Sequence, residues 1–231
     1  MIPPHSNPLQ NLSQNLVIAI KHLNLHGLRY SIASLWREIW FDIVKGVDTT
    51  SPQHPTPSTH SVPYQGADPH VVKQLFSIIP DRAKESTFVD FGCGKGRALI
   101  IALEHGFKDV IGVEIAPELV SICKNNLSKV TRNQTLATVR LIQADASTFE
   151  LPQGPITAFF FNPFKGPPLE QVALNLTKNA ARTGAEVWLI YINPLHLNLF
   201  IDQGFKVVHS LSHRKILLAV VAQMQPNAIP E

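Results

Sequence analysis

The chain has little charge, little cysteine and no long apolar run. Charged residues make up 16% of its 231 residues and the formal net charge is +3, which permits contact with nucleic acid but does not indicate it. Cys93 and Cys123 form no CxxC pair, so the sequence predicts neither a metal site nor a disulfide. No apolar stretch reaches the roughly 18 residues of a membrane-spanning helix. We expect a cytoplasmic protein without a transmembrane segment.

Residues 1–47 are predicted to form a helical arm. LSQNLVIAIKHL gives one short helical pattern, and SIASLWREIWFDIV gives a second with apolar residues three and four apart. This second stripe consists of Ile32, Leu35, Trp36, Ile39, Trp40 and Ile43. We expect the stripe to dock on the main domain. The alternative is a helix for a membrane surface or a partner, because two tryptophans on one face also suit an interface.

Residues 48–63 are predicted to be a linker, because four prolines among serine, threonine and histidine prevent a helix or a central strand. The main domain is then predicted over residues 64–222, and residues 223–231 form a short tail. We expect the helical arm, as the part of the chain outside the domain, to select the substrate.

Short apolar strands and helices alternate through the main domain. Strands are predicted at TFVDF, DVIGVE, TVRLIQAD, ITAFFF and EVWLIYI, and all of them except TVRLIQAD are followed by a helical pattern. FKVVHS with RKILLAVVA predicts a closing antiparallel hairpin. Strands that are apolar throughout indicate a mostly parallel sheet covered on both faces. The predicted fold is therefore an α/β Rossmann-like three-layer sandwich.

The loop FGCGKG carries three glycines directly after the first strand. Gly92 permits a sharp turn, Gly94 allows close approach of a ligand, and Gly96 allows close helix packing. The spacing is G-x-G-x-G, whereas dinucleotide-binding loops read G-x-G-x-x-G, and Arg97 stands where their third glycine would be. The loop therefore favours a ligand other than a dinucleotide.

Acidic residues stand at the ends of three successive predicted strands. Asp90 would disfavour a pyrophosphate but favour an ammonium or sulfonium group. Glu114 can accept hydrogen bonds from both hydroxyls of a ribose, and Asp145 can accept one from the exocyclic amine of adenine. Each acid alone is also explained as a helix cap or a solvated turn residue. The three together indicate a ligand with an amine, a ribose and an adenine.

The order VDFGCGKGRAL, VIGVEIAPEL, LIQADA and FFFNPF resembles the class I S-adenosylmethionine-dependent methyltransferases over residues 64–222. The likeness is greatest to small bacterial members of that class, which share FDIVKGVDT and the VPY before the domain. It implies a seven-stranded sheet whose last strand is antiparallel, and S-adenosylmethionine as the cofactor.

The resemblance also implies roles for individual residues. The loop residues Asp90, Gly92, Cys93, Gly94 and Gly96 would hold the methionine part of the cofactor, and Glu114 the ribose. Ile115 would pack against the adenine ring, which Asp145 and Ala146 would bind. Tyr64 would lie over the cofactor as a lid.

FFFNPF at the end of the fourth strand is the candidate for positioning the methyl acceptor. Asn162 offers an amide and Phe164 a flat apolar wall, with Pro163 between them. The stretch resembles the Asn/Asp-Pro-Pro-Tyr/Phe motif of enzymes that methylate planar amines and amides, but the second proline is missing. The departure argues against an adenine or amide acceptor. The alternative is a purely structural role, in which Asn162 caps a helix.

The sequence therefore predicts a methyltransferase whose acceptor, a protein lysine or a small-molecule nitrogen or oxygen, is not identified. A catalytically inactive cofactor-binding scaffold is the main alternative, because it would keep the first three motifs without needing Asn162. A nicotinamide-dependent oxidoreductase is a further alternative, disfavoured by the glycine spacing and by Asp90.

Overall fold

The computed structural model describes residues 27–51, 64–131, 137–213 and 216–225. The first helical pattern, LSQNLVIAIKHL, lies outside these residues, as does most of the predicted tail. The helices are α1 (Leu28–Lys45), α2 (Pro69–Ile78), α3 (Asp81–Lys84), α4 (Arg97–Glu104), α5 (Pro117–Val130), α6 (Pro167–Thr183) and α7 (Leu197–Asp202). The strands are β1 (Thr87–Phe91), β2 (Asp109–Glu114), β3 (Thr138–Gln143), β4 (Ile156–Phe160), β5 (Val187–Ile192), β6 (Lys206–His213) and β7 (Ile216–Met224).

The strands form a seven-stranded sheet in the order β3-β2-β1-β4-β5-β7-β6. Strands β1 to β5 are parallel to one another, and β7 pairs antiparallel with both β5 and β6. The order reverses at β1, which lies between β2 and β4. Because ligands in such sheets bind where the strand order reverses, the carboxyl ends of these strands are the expected site.

Side chains that alternate along the buried strands build a core on each face of the sheet. Phe88 packs with residues of α2, α4 and α5 on one face, and Val89 packs with residues of α6 and α7 on the other. Both cores are apolar and aromatic. The predicted three-layer α/β sandwich with an antiparallel last strand is therefore confirmed.

Helix α1 docks on this sandwich through its polar face, and the predicted docking of its apolar stripe is wrong. Phe41 and Ser34 are buried, whereas all six stripe residues are exposed. Glu38 forms an ion pair with Arg97 of α4. A buried guanidinium needs a charged partner more than an apolar side chain needs cover, and this decides which face turns inward. Among the described residues, no helix is long and apolar enough to cross a membrane.

Candidate functional site

The predicted acids meet at the carboxyl edge of the sheet. Asp90 is the fourth residue of β1, Glu114 ends β2, and Asp145 follows β3 by two residues. The parallel register pairs Asp90 with Gly112 of β2 and Glu114 with Gln143 of β3. Three adjacent strands therefore deliver one carboxylate each to the same edge.

Asp90 is a buried carboxylic acid, with 4% of its surface exposed. Burial raises the pKa of Asp90 well above its ordinary value, and the negative charge of Glu114 adds to this effect. Among the described residues, no lysine or arginine forms an ion pair with Asp90. A ligand could therefore supply the positive charge that is missing at the end of β1.

Glu114 is also buried, and backbone groups fix its carboxylate. One oxygen accepts from the N–H of Gly94 at 2.9 Å and the other from the N–H of Ala116 at 2.9 Å. Each carboxylate oxygen has a second lone pair, so both can still accept from a pair of hydroxyls. Glu114 thus ties the glycine loop to β2 while remaining able to bind a ligand.

Asp145 and its neighbours form the more open end of the site. Asp145 is exposed and caps the 3₁₀ turn Ala146–Thr148, since its Oδ1 accepts from the N–H and the hydroxyl of Ser147. The capping role considered from the sequence is therefore present here. Ala146 is buried, and Ile115 after β2 is 49% exposed, which leaves an apolar surface beside an acid, as an adenine ring would need.

The glycines of the loop are required by close neighbours. A Cβ on Gly92 (φ 81°) would lie 2.1 Å from Cβ of Pro163, and one on Gly96 (φ 86°) would lie 2.6 Å from Sγ of Cys123. Both positions therefore exclude any larger residue. The first contact also brings the Asn-Pro-Phe stretch against the glycine loop, as a shared site requires.

Tyr64 lies against the same loop. A Cβ on Gly94 would be 2.4 Å from Cε2 of Tyr64, and the Tyr64 hydroxyl donates to the carbonyl of Thr49 at 2.8 Å. Burial raises the pKa of Tyr64 above its ordinary value, so the phenol stays protonated. Its ring is placed as a cover over the loop, and its role as a lid stays a prediction.

Cys93 is buried beneath the loop beside Cys123 of α5, and both are free thiols. The hydrogen bond to Cys123, together with burial, raises the pKa of the Cys93 thiol. A raised pKa disfavours the thiolate, which is the reactive form of cysteine. Cys93 contributes its backbone and volume to the loop. Among the described residues, no cluster of histidine, cysteine and acidic side chains suits a metal.

Asn162 adopts an unusual conformation just after β4. Its φ is 43°, a left-handed value that few residues other than glycine adopt. The Tyr191 hydroxyl donates to Oδ1 of Asn162 at 3.0 Å, while Nδ2 is buried with no partner among the described residues. A buried amide without a described partner needs an explanation, and a bound ligand would provide one.

Tyr191 orients this amide. Its hydroxyl donates its proton to Oδ1 of Asn162. Burial raises the pKa of Tyr191 to about 12, so the phenol does not act as a base at neutral pH. Phe164 is partly buried and packs on the core under β4. No local pattern identifies Tyr191, which resembles the other apolar residues of a buried strand.

Two cations of the loop bind the segment before the domain, a role that sequence reasoning missed. Arg97 uses all five of its N–H donors, which reach Glu38, Thr49, Thr50 and Ala67 at 2.7–3.0 Å. A fully paired guanidinium can be buried without a large cost. Arg97 therefore joins α1 to the first turn of α4.

Lys95 holds the same segment from the other side. Its side chain is fully buried, and Nζ bonds to the Asp48 carboxylate and to the carbonyl and hydroxyl of Ser51 at 2.6–3.3 Å. Asn126 of α5 bonds to the backbone of Asp48 and to the carbonyl of Lys95. The start of the predicted linker is thus fastened across the glycine loop. The only available signal was a lysine and an arginine flanking Gly96 in an otherwise apolar stretch.

The site residues are compatible with S-adenosylmethionine. The orphaned amide of Asn162, the unpaired carboxyl of Asp90 and the acid at each strand end match its polar groups. The left-handed glycines allow backbone N–H groups to face a ligand.

Comparisons with known proteins agree with this geometry. Residues 88–184 match the family described as Methyltransferase domain. A segment of 40 residues is 45% identical to the ribosomal protein L11 methyltransferase of Mannheimia succiniciproducens, covering 17% of this chain and 14% of that protein. The match thus spans about a seventh of the length of that relative.

Solved structures share the fold. A proposed RNA methyltransferase from Pyrococcus horikoshii superposes with a TM-score of 0.53 and 19% identity, over 82% of this chain and 98% of that one. A proposed methylase from Haemophilus influenzae gives 0.51 and 18%, over 67% and 96%. At these identities the likeness shows the fold alone. Residues 88–184 thus match a methyltransferase domain, within a fold that the chain shares with these solved structures.

Proposed function

We propose that the protein binds S-adenosylmethionine at the carboxyl edge of β1 to β4 and transfers its methyl group to a nitrogen or oxygen nucleophile. The observation that carries this proposal is Asp90. A buried carboxyl with a raised pKa and no described cationic partner suits a ligand that brings its own positive charge. The ammonium group of the methionine part is such a charge.

The neighbouring acids complete the binding scheme. Glu114, held by the N–H groups of Gly94 and Ala116, accepts from the two ribose hydroxyls. Asp145 accepts from the adenine amine with Oδ2, since the described bonds to Ser147 both use Oδ1. Ile115 supplies the apolar surface for the adenine ring. Each role uses a group whose capacity for hydrogen bonds is not exhausted.

The acceptor binds beside Asn162, Pro163 and Phe164. The cofactor supplies an electrophilic methyl group, and the protein contributes position and exclusion of water. Tyr191 uses one lone pair of Oδ1 of Asn162, whereas Nδ2 has no partner among the described residues. The Nδ2 donors therefore match an oxygen of the acceptor or of the cofactor.

The relatives suggest which macromolecules to test. Their names describe methyltransferases of ribosomal protein L11 and of RNA. We propose a protein or small-molecule acceptor for this chain. When the purified protein is incubated with a cell extract and radiolabelled S-adenosylmethionine, the label on the acceptor should then survive treatment with nuclease. Loss of the label to nuclease alone would identify RNA and refute this choice of acceptor.

Calorimetry tests the cofactor directly. S-adenosylmethionine and S-adenosylhomocysteine should bind, and NAD should not. Glu114→Gln should weaken binding about tenfold or more, since a charged acceptor is lost, which is about 1.4 kcal/mol. Glu118→Gln is the matched control, because Glu118 is exposed in the first turn of α5. Tight binding of NAD without a response to S-adenosylmethionine would refute the proposal.

A further inference from the structure

The polar face of helix α1 contacts the rest of the protein. Ser34 and Arg37 bond to Asp68, the N-cap of α2, and Glu38 pairs with Arg97 of α4. These contacts lie on the side of the helix that faces the sandwich. They hold α1 in one orientation along its length.

The second half of α1 is held in the same way. The Asp42 carboxylate accepts from the backbone N–H groups of Thr49 and Thr50, and Lys45 forms an ion pair with Glu104 of α4. The inward face of α1 is therefore polar apart from Phe41. The remaining apolar side chains of the helix have no room on that side.

The outward side of α1 is a continuous apolar face. It consists of Leu28, Ile32, Leu35, Trp36, Ile39, Trp40, Ile43 and Val44, which are 40–62% exposed. The helix has 18 residues and is about 27 Å long, so the face runs over five turns. A patch of this extent on a folded protein marks a surface that something covers.

The charges of α1 argue against a lipid bilayer as the cover. A helix that lies on a membrane uses several lysines and arginines to reach the headgroups. Arg37 and Lys45 are already in ion pairs with Asp68 and Glu104. Arg29 is then the one cation of α1 outside the ion pairs of the described residues. One cation outside the described ion pairs is a weak match for an anionic surface.

The chain itself carries a matching segment next to this face. Residues 1–26 join Gly27, which has φ 81° at the start of α1. They contain apolar residues at helical spacings of three and four: Leu9, Leu12, Leu16, Ile20 and Leu23. Three residues, 24–26, separate the last of these from Gly27, and loops of about 2–5 residues join two antiparallel helices.

We propose that residues 9–23 pack on the apolar face of α1, so that the arm is an antiparallel pair of helices. A tethered segment has an effective concentration of about a millimolar or more, which favours it over a second copy or a separate partner. As a helix, the 15 residues 9–23 are about 22 Å long and reach from the loop at residues 24–26 along α1 past Trp36. The chain thus supplies its own cover for the face that the sandwich leaves open.

Acrylamide quenching of tryptophan in the full chain tests this packing. The protein has three tryptophans, and Trp188 is buried, so it serves as an internal reference. If residues 9–23 cover α1, most of the emission of the wild-type protein resists quenching. If the face is bare, the emission of Trp36 and Trp40 is quenched as for exposed tryptophans. The second result would overturn the proposal.

Two isoleucines give a matched pair of variants. Ile20→Glu changes the predicted packing stripe and should raise the quenching constant about twofold, because apolar cover is lost. Ile18→Glu lies on the opposite side of the same helical pattern and should leave quenching unchanged. Equal effects of the two variants would contradict the proposal. Circular dichroism checks that both fold, and the wild-type result stands if Ile20→Glu does not.

Other covers give different outcomes. Protection that falls on dilution, with a dimer seen by light scattering, would show that a second copy covers α1 and would refute the proposal. Protection that appears only with vesicles of anionic lipid would refute it in favour of a bilayer. Protection in a monomer without lipid, lost in Ile20→Glu alone, is the expected result.

Discussion

The carboxyl edge of the sheet and helix α1 bury their side chains in opposite ways. The edge places acids inside, where Asp90 and Glu114 are almost fully enclosed. Helix α1 places Trp36 and Trp40 outside while its ionic residues face the protein. In both regions the arrangement follows the polar groups. A buried charge must be paired or must await a partner, whereas an exposed apolar side chain costs less.

The two regions are physically joined by the glycine loop. Gly94 bonds to Glu114 on one side, and Lys95 and Arg97 hold the segment from Asp48 to Ser51 on the other. The loop between a ligand and α1 is therefore fixed from both directions. We expect variants on the α1 side to act on stability and those on the sheet side to act on ligand binding.

Arg97→Met should give the largest effect, because it removes the link from the α1 side. The change leaves Glu38 without its cation, and burial already raises the pKa of Glu38 even with Arg97 present. We expect a loss of about 3–5 kcal/mol in the free energy of unfolding. Urea denaturation measures this loss.

The matched control for Arg97→Met is Arg140→Met. Arg140 pairs with Asp109 at the surface, where its side chain is 47% exposed. Exposed pairs contribute about 0–1 kcal/mol. Equal losses of stability in the two variants would show that the contacts of Arg97 with α1 contribute no more than an exposed ion pair.

Gly92→Ala should have the next largest effect, on the sheet side of the comparison. Its Cβ would lie 2.1 Å from Pro163, at a φ of 81°. Gly154→Ala shares the left-handed backbone (φ 89°) but has nothing within 4 Å of the new Cβ. We expect about 2–4 kcal/mol of destabilisation for Gly92→Ala and about 1–2 kcal/mol for Gly154→Ala. Similar losses in thermal melts would show that backbone strain, and not the contact with Pro163, requires the glycine.

How well the sequence predicts each region reflects the range of the interactions involved. β1 and β2 are found at TFVDF and DVIGVE because continuous apolar runs between polar ends are local signals. The strand-end acids follow from the strands. The sequence also predicts α1 and its apolar stripe, but not which face docks, because that depends on Arg97, 59 residues from Glu38.

The residues that sequence reasoning missed share this long range. Asn126 bonds to Asp48 across 78 positions, and Tyr191 bonds to Asn162 across 29. Neither residue type nor local pattern identifies such a partner. A polar side chain in a buried segment indicates that it has a partner, and only the fold shows which one.

Asn162→Gly should separate activity from stability at the site. Glycine adopts a φ of 43° without strain, so the free energy of unfolding should change by less than about 1 kcal/mol. The variant loses the amide that we propose to position the acceptor, and we expect kcat to fall about 10–100-fold. Asn193→Gly is the control, because Asn193 has φ 52° outside the proposed site. A parallel fall in both variants would remove Asn162 from the acceptor site.

The smallest expected effect is the release of a proton when the cofactor binds. It tests most directly whether a cation binds beside Asp90. Burial raises the pKa of Asp90 in the free protein. At a pH of about 4, the ordinary pKa of an aspartate, or just above it, the carboxyl therefore still holds its proton. A bound ammonium favours the carboxylate and lowers this pKa. Binding between the two pKa values therefore releases a proton, and affinity rises with pH by at most about tenfold per unit.

Calorimetry in two buffers of different ionisation enthalpy measures this proton. S-adenosylhomocysteine keeps the ammonium but lacks the sulfonium charge, so equal release with both ligands places the ammonium beside Asp90. Smaller release with S-adenosylhomocysteine places the sulfonium there instead. Asp90→Asn should abolish the release because the carboxyl that loses its proton is removed. Proton uptake by the wild-type protein would contradict a cation at Asp90. The buried acids would then lack the cationic partners that the ion-paired residues of α1 have.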